Sequence, residues 1–247
     1  MSESAQVITT EIVDGVATIT IDRTERRNAL NYAALEALDA AVLDALAQGV
    51  KAIVFTGAGG HFCAGADLTE LEDQTFDRRL RTMLSNVAEA PVLCIAAVSG
   101  ACMGLGTQLA IACDVRVATG DAYFGIPSAK LGVVVNEWTL NRLMWTVGGG
   151  AARHMLLTAE IYRFEAARAC GLVQVEGTLA DAQDIAQRST ALAPLAIAGT
   201  KIGLNAAEGI VDSAAFEAAF ETAWASADLV EGRTAFTERR TPNFEGR

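Results

Sequence analysis

The chain reads as an α/β protein on three observations. Short apolar or β-branched runs alternate with segments of helical period, two glycine-rich turns each follow such a run and lead into a helix, and the last third is helical in period almost throughout. Residues 7–13 and 16–22 flank Asp14 and Gly15, a pair suited to a two-residue hairpin turn, so the chain opens on a β-hairpin. Leu35, Leu38, Val42, Ala45 and Leu46 recur at helical spacing over 32–46, with Asn31 as the N-cap. Segments 51–56 and 92–98 are short buried strands, and the polar helix between them, 73–89, stops before Pro91. Further strands follow at 115–118 and 122–124. Helices then begin near Glu137, Gly150, Phe164, Leu179, Leu195, Asp212 and Ala227.

With 247 residues, 51% of them hydrophobic and only 4 prolines, the chain is expected to form one large core plus a helical appendage. The division expected is 1–193 for the core and 194–247 for a C-terminal helical oligomerisation region. The apolar faces of the alanine-rich helices need a partner surface, which points to a homo-oligomer. A net charge of −11, with 30 acidic against 19 basic residues, argues against a nucleic-acid partner. Basic residues concentrate locally at Arg23, Arg26 and Arg27 and again at Arg239, Arg240 and Arg247. The five cysteines lack paired spacing and read as reduced core thiols, and two histidines without a cysteine pair argue against a metal site. The most apolar run, 91–100, is too short to span a bilayer, and no basic segment followed by an apolar one opens the chain, so a cytoplasmic location is expected.

The chemistry lies in the two glycine-rich turns. GAGGHFCAGADL, from Gly57 to Leu68, leaves the N–H of Ala66 free, with Asp67 as the cap of a following helix. GACMGLGTQLAIACD, from Gly100 to Asp114, turns into a helix over 107–112 and exposes the N–H of Leu105, to which the helix dipole adds. Two such donors converging on one point form an oxyanion hole, in which the loss of one donor costs about 3–4 kcal/mol. Tight βα turns with no ligand are the alternative. His61 and Cys63, two apart in the first turn, lack a third, orienting group for a thiolate–imidazole pair.

Six segments resemble the crotonase superfamily of enoyl-CoA hydratases and isomerases. They are RTERRNAL at 23–30, FCAGADL at 62–68, SGACMGLGTQLAIACDVRVA at 99–118, FGIPSAKLG at 124–132, LLTAE at 156–160 ahead of Gly171, and FTERRTPNF at 236–244. The resemblance spans nearly the whole chain. It implies a ClpP-like spiral of ββα units with a C-terminal helical region that forms homotrimers, often paired into hexamers as dimers of trimers. It also implies acyl-CoA binding in lipid and fatty-acid metabolism, with coenzyme A as part of the ligand and no prosthetic group. Carried over by position, the N–H groups of Ala66 and Leu105 hold the thioester oxygen, while Ala64, Gly65, Ala66, Asp67 and Leu68 receive the adenine end of coenzyme A. Arg26, Arg27 and Arg239 meet its phosphates, and Phe236 is the matching aromatic.

The departures from the family pattern concern catalysis. Hydration in this family uses two glutamates, and their positions hold Gln108 and Ser128 here. An amide does not titrate usefully and a serine hydroxyl needs its own base. General acid–base help is worth about 10²–10⁴-fold per group, so hydration is expected to be weak or absent. Thr24 replaces the usual proline of the first segment, and VNEWT, from Val135 to Thr139, replaces the usual PGAGG. Glu137 is the one carboxylate of that loop, and an active hydratase or isomerase using it as a non-standard acid or base is the alternative. Asn136 reads as an N-cap, and Trp138 as either a wall of the acyl pocket or a core aromatic.

Overall fold

A computed structural model describes residues 7–67, 74–209 and 213–247. The hairpin pairs β1 (Ile8–Val13) antiparallel with β2 (Val16–Ile21), closing at Val13 opposite Val16. Asp14 and Gly15 take φ of 48° and 80°, the left-handed pair that matches the strands' twist. From β2 the sheet continues in parallel through β3 (Ala52–Gly57), β4 (Leu93–Val98), β6 (Val115–Ala118) and β9 (Val175–Glu176), in the order β1-β2-β3-β4-β6-β9. A second sheet orders β5 (Ala101–Met103), β7 (Tyr123–Gly125) and β8 (Tyr162–Arg163).

The central parallel strands β3 and β4 are buried on both faces, as their apolar runs require. Ile53 and Phe55 of β3 join the main core with α1 (Tyr32–Ala47), α2 (Gln74–Glu89) and α3 (Leu105–Ala112), while Ala52 and Val54 face a smaller core with Ala182 and Ala186 of α6 (Leu179–Ser189). Asn31 caps α1 as expected, its side chain accepting the Ala34 N–H at 3.0 Å. This α/β architecture is the one the sequence predicts. The expected starts at residues 73 and 212 lie outside the described residues.

Two corrections concern the final third. The helices expected at Glu137 and Gly150 are one element, α4 (Glu137–Thr158), broken only by a non-helical Gly148. The run read as wholly helical also contains β8 and β9, two-residue strands too short to show a period. Between and beyond them lie α5 (Phe164–Ala169), α7 (Pro194–Ala207), α8 (Ser213–Trp224) and α9 (Ala227–Glu238). Among the described residues, no helix is long and apolar enough to cross a membrane.

Helix α7 is joined to the core by buried polar groups. Lys201 Nζ donates to the carbonyls of Val87 and Val92 and to the Asp114 carboxylate at 2.8 Å. Burial alone lowers the affinity of Lys201 for its proton, but the neighbouring Cys94 and Asp114 outweigh it and hold the ammonium above its ordinary value. Asn205 Nδ2 donates to Ala88 O, and Arg142 Nη1 bridges Asn205 and Glu208. Arg116 is fully enclosed and spends its guanidinium on the carbonyls of Leu172, Ala110 and Cys113. All five cysteines are unpaired thiols. Burial pushes Cys63 up to about 12 and Cys94 up to about 11, which leaves both protonated at neutral pH.

Candidate functional site

The two glycine-rich turns lie side by side because their backbones are zipped in parallel. Phe62 N–H donates to Ser99 O, Cys63 N–H to Ala101 O and Met103 N–H to Cys63 O, each at 2.9 Å, with Cys63 paired to Cys102. The ladder ends at Met103, since Gly65 O takes the Leu30 N–H and the Gly104 N–H goes to Gly125 O, and the two turns run on beside each other at Gly65 and Gly104. The backbones are close enough there that a Cβ on Gly104 would lie 3.7 Å from the Gly65 Cα.

Neither Ala66 nor Leu105 spends its N–H elsewhere among the described residues. Leu30 N–H donates to Gly65 O and Asp67 N–H to Leu30 O, so the N–H of Ala66 faces away from the 27–30 segment. Leu105 is the first residue of α3, where a helix leaves its N–H groups unpaired. Gly104 supplies the turn with φ of 53°, and its own N–H is held by Gly125 O at 2.7 Å. The Thr107 hydroxyl secures the same corner by donating to Cys102 O at 2.6 Å. Strand β5 is the part of this corner that sequence reasoning missed. Two free donors on adjacent turns, one of them at a helix start, are of the kind that suits an oxygen carrying or developing negative charge.

Gln108 sits one turn further along α3, 7% exposed. Its Oε1 accepts from the Thr139 hydroxyl at 2.8 Å. That hydroxyl also lies 3.0 Å from Asn136 Oδ1, which caps α4 by accepting the Thr139 N–H, and Asn136 Nδ2 donates to Asp77 of α2 at 3.1 Å. Asn136 is therefore the N-cap, as read from sequence. Ser128 opens a short 3-10 helix, Ser128–Leu131, and is half-buried, its hydroxyl making no hydrogen bond among the described residues. Glu137 is exposed at the start of α4, while the next two residues, Trp138 and Thr139, turn inward. Trp138 packs in the main core, its Nε1 enclosed without a partner.

The remaining candidates divide. His61 Nδ1 accepts the Ala101 N–H at 3.1 Å, and the Cys63 thiol, fully buried, points to Gly65 O, so the two form no catalytic pair. Arg26 and Arg27 are exposed on a segment bound to the first turn through Ala64 N–H and Arg27 O at 2.9 Å. Asp67 is buried and ion-paired with Arg23 at 3.4 Å; the residues that follow it, where the helix it was expected to cap would start, lie outside the described residues, Leu68 among them. The side chain of Phe236 is likewise outside them. Arg239 is exposed, and the recorded polar contacts around it are internal to the C-terminal segment, such as Arg240 with Glu231. Asn28, which sequence reasoning did not single out, is the clasp of the first turn. Buried in a left-handed conformation, it donates to Ala58 O at 2.8 Å and to His61 O at 2.6 Å and accepts the Arg23 N–H at 2.9 Å.

The family model for enoyl-CoA hydratase/isomerase matches residues 11–247. The chain belongs to that family. Within the crotonase superfamily it is 41% identical to the Mycobacterium tuberculosis protein named "Probable enoyl-CoA hydratase echA6", over 94% of this chain and 97% of that one. It is 32% identical to the 2,3-dehydroadipyl-CoA hydratase of Escherichia coli, over 94% and 96%. The solved enoyl-CoA hydratase of Bacillus anthracis superposes with a TM-score of 0.88 at 28% identity, covering 98% of this chain and 100% of that one. That of Mycobacterium tuberculosis superposes with a TM-score of 0.84 at 32% identity, covering 98% and 99%. The crotonase fold expected from the sequence is thus the fold observed.

Proposed function

We propose that this protein binds acyl-coenzyme A thioesters, with the N–H groups of Ala66 and Leu105 on the thioester oxygen, and has little or no hydratase activity. The observation that carries the reading is Gln108. The N–H groups of Ala66 and Leu105 are free among the described residues, which supports binding, whereas the position expected to exchange protons holds an amide engaged by Thr139, which speaks against turnover. Ser128, at the other expected acid position, hydrogen-bonds no base among the described residues. The exposed placement of Glu137 speaks against its standing in for either acid.

The names of the relatives, hydratases of CoA thioesters among them, support coenzyme A as the handle and fatty-acid metabolism as the setting. The adenine end is assigned to the backbone at Ala64, Gly65, Ala66, Asp67 and Leu68, with Arg26, Arg27 and Arg239 for the phosphates and Phe236 beside them. A homotrimer, or a hexamer of two trimers, is favoured by the apolar face of α7 and α8, where Leu204, Phe220 and Trp224 are 60%, 48% and 57% exposed around a cavity of about 480 Å³. Residues 194–247 are assigned to that assembly and 1–193 to the core, in a cytoplasmic protein.

The test pairs two measurements on one sample. Calorimetric titration with acyl-CoAs of graded chain length should give saturable binding, while steady-state hydration of crotonyl-CoA should run at least about 10²-fold below an enzyme with both acids. Ordinary turnover would overturn the loss of activity, and the absence of heat with every acyl-CoA would overturn the binding.

A further inference from the structure

Gln108 is more than a lost acid. Its Oε1 is engaged by the buried Thr139 hydroxyl, which leaves the Nε2 donors without a partner among the described residues. Trp138 Nε1 is the one unpartnered side-chain nitrogen or oxygen that is fully enclosed among the described residues, so these residues do not fully enclose Gln108 Nε2. Gln108 lies three residues after Leu105 on α3, about 4.5 Å along the axis and on the same helical face. An acyl group whose carbonyl oxygen sits on the Leu105 N–H and whose chain runs along α3 carries its first carbons past Gln108. C3 is two bonds from the carbonyl carbon.

Resting on the acyl-thioester reading, we propose that Gln108 is a specificity residue and that its Nε2 donates to an oxygen on C3 of the bound chain, selecting 3-oxoacyl thioesters over saturated and 2-enoyl ones. Thr139 is the positioning residue, since its hydrogen bond to Oε1 turns the amide so that the donor faces the ligand. A ketone suits this donor because it only accepts hydrogen bonds. A saturated chain covers Nε2 without pairing it, a penalty that a neutral hydrogen bond to a C3 oxygen removes.

The experiment titrates the full-length protein with three CoA thioesters of equal chain length (saturated, trans-2-enoyl and 3-oxo) and compares the parent chain with Gln108→Met and Gln108→Glu. The parent should bind the 3-oxo compound about tenfold more tightly than the saturated one. That ratio should collapse towards one in Gln108→Met, and it should invert in Gln108→Glu, where a carboxylate faces the ketone. Equal affinity for all three ligands in the parent chain overturns the selection while leaving acyl-CoA binding in place. Failure of all three to bind overturns both. A melting curve for each variant identifies misfolding, and if Gln108→Met does not fold, Gln108→Glu alone decides through the sign of the ratio.

Discussion

Installing glutamate at both Gln108 and Ser128 should raise crotonyl-CoA hydration at least about 10²-fold over the parent chain, with either single change gaining far less. Adding water across an enoyl thioester needs one group to take a proton from the water and another to deliver a proton to the chain, each worth about 10²–10⁴-fold. With only one acid in place, half of that cycle has no carrier. Gln108→Glu is nearly isosteric and keeps the bond from Thr139. Loss of 2-enoyl absorbance under steady-state conditions reads the outcome. A double variant that binds acyl-CoA and stays as slow as the parent would show that these positions do not address the reacting carbons.

Gly106→Ala should lower the melting temperature by roughly 5–10 °C, on about 2–4 °C per kcal/mol for a chain of this size, and should weaken acyl-CoA binding along with stability. A Cβ there would fall 2.2 Å from the Cys63 carbonyl oxygen and 3.0 Å from the carbonyl carbon. Those are backbone atoms of the facing turn, so relief requires the two turns to part, carrying Ala66 away from Leu105. Displacements of this kind, near 1 Å, cost about 10²-fold where geometry matters. Gly149→Ala is the matched control, because nothing lies within 4 Å of its added carbon. Thermal unfolding and a binding titration on both variants make the comparison, and a Gly106→Ala protein that melts and binds like Gly149→Ala would refute the close approach.

Elements with a complete local signal were legible in the sequence. Asp14-Gly15 fixed the hairpin, Asn31 the start of α1, and the unbroken apolar run of β4 its burial on both faces. The two turns were legible as pieces through their glycines, but the zipper that brings them together at Cys63 and Cys102 was not. It is made of backbone hydrogen bonds between residues nearly forty apart, which leave no side-chain pattern. Strands β8 and β9 were illegible for the opposite reason, since two residues cannot display a period of two. The Thr139 hydroxyl on Gln108 and the ion pair of Lys201 with Asp114 join residues 31 and 87 apart, and no local rule connects them. Asn28 was hidden because its role depends on a left-handed backbone that asparagine tolerates but does not announce.

The central claim is that backbone donors polarise a thioester carbonyl in a site without acid–base partners. No side-chain substitution removes those donors, so the direct test is spectroscopic: difference infrared measurement of an acyl-CoA carrying ¹³C at the thioester carbonyl, free and bound to the parent protein. The account predicts a bound carbonyl stretch moved to lower frequency while the ligand is recovered unchanged. A saturably bound ligand whose carbonyl keeps its solution frequency would contradict it.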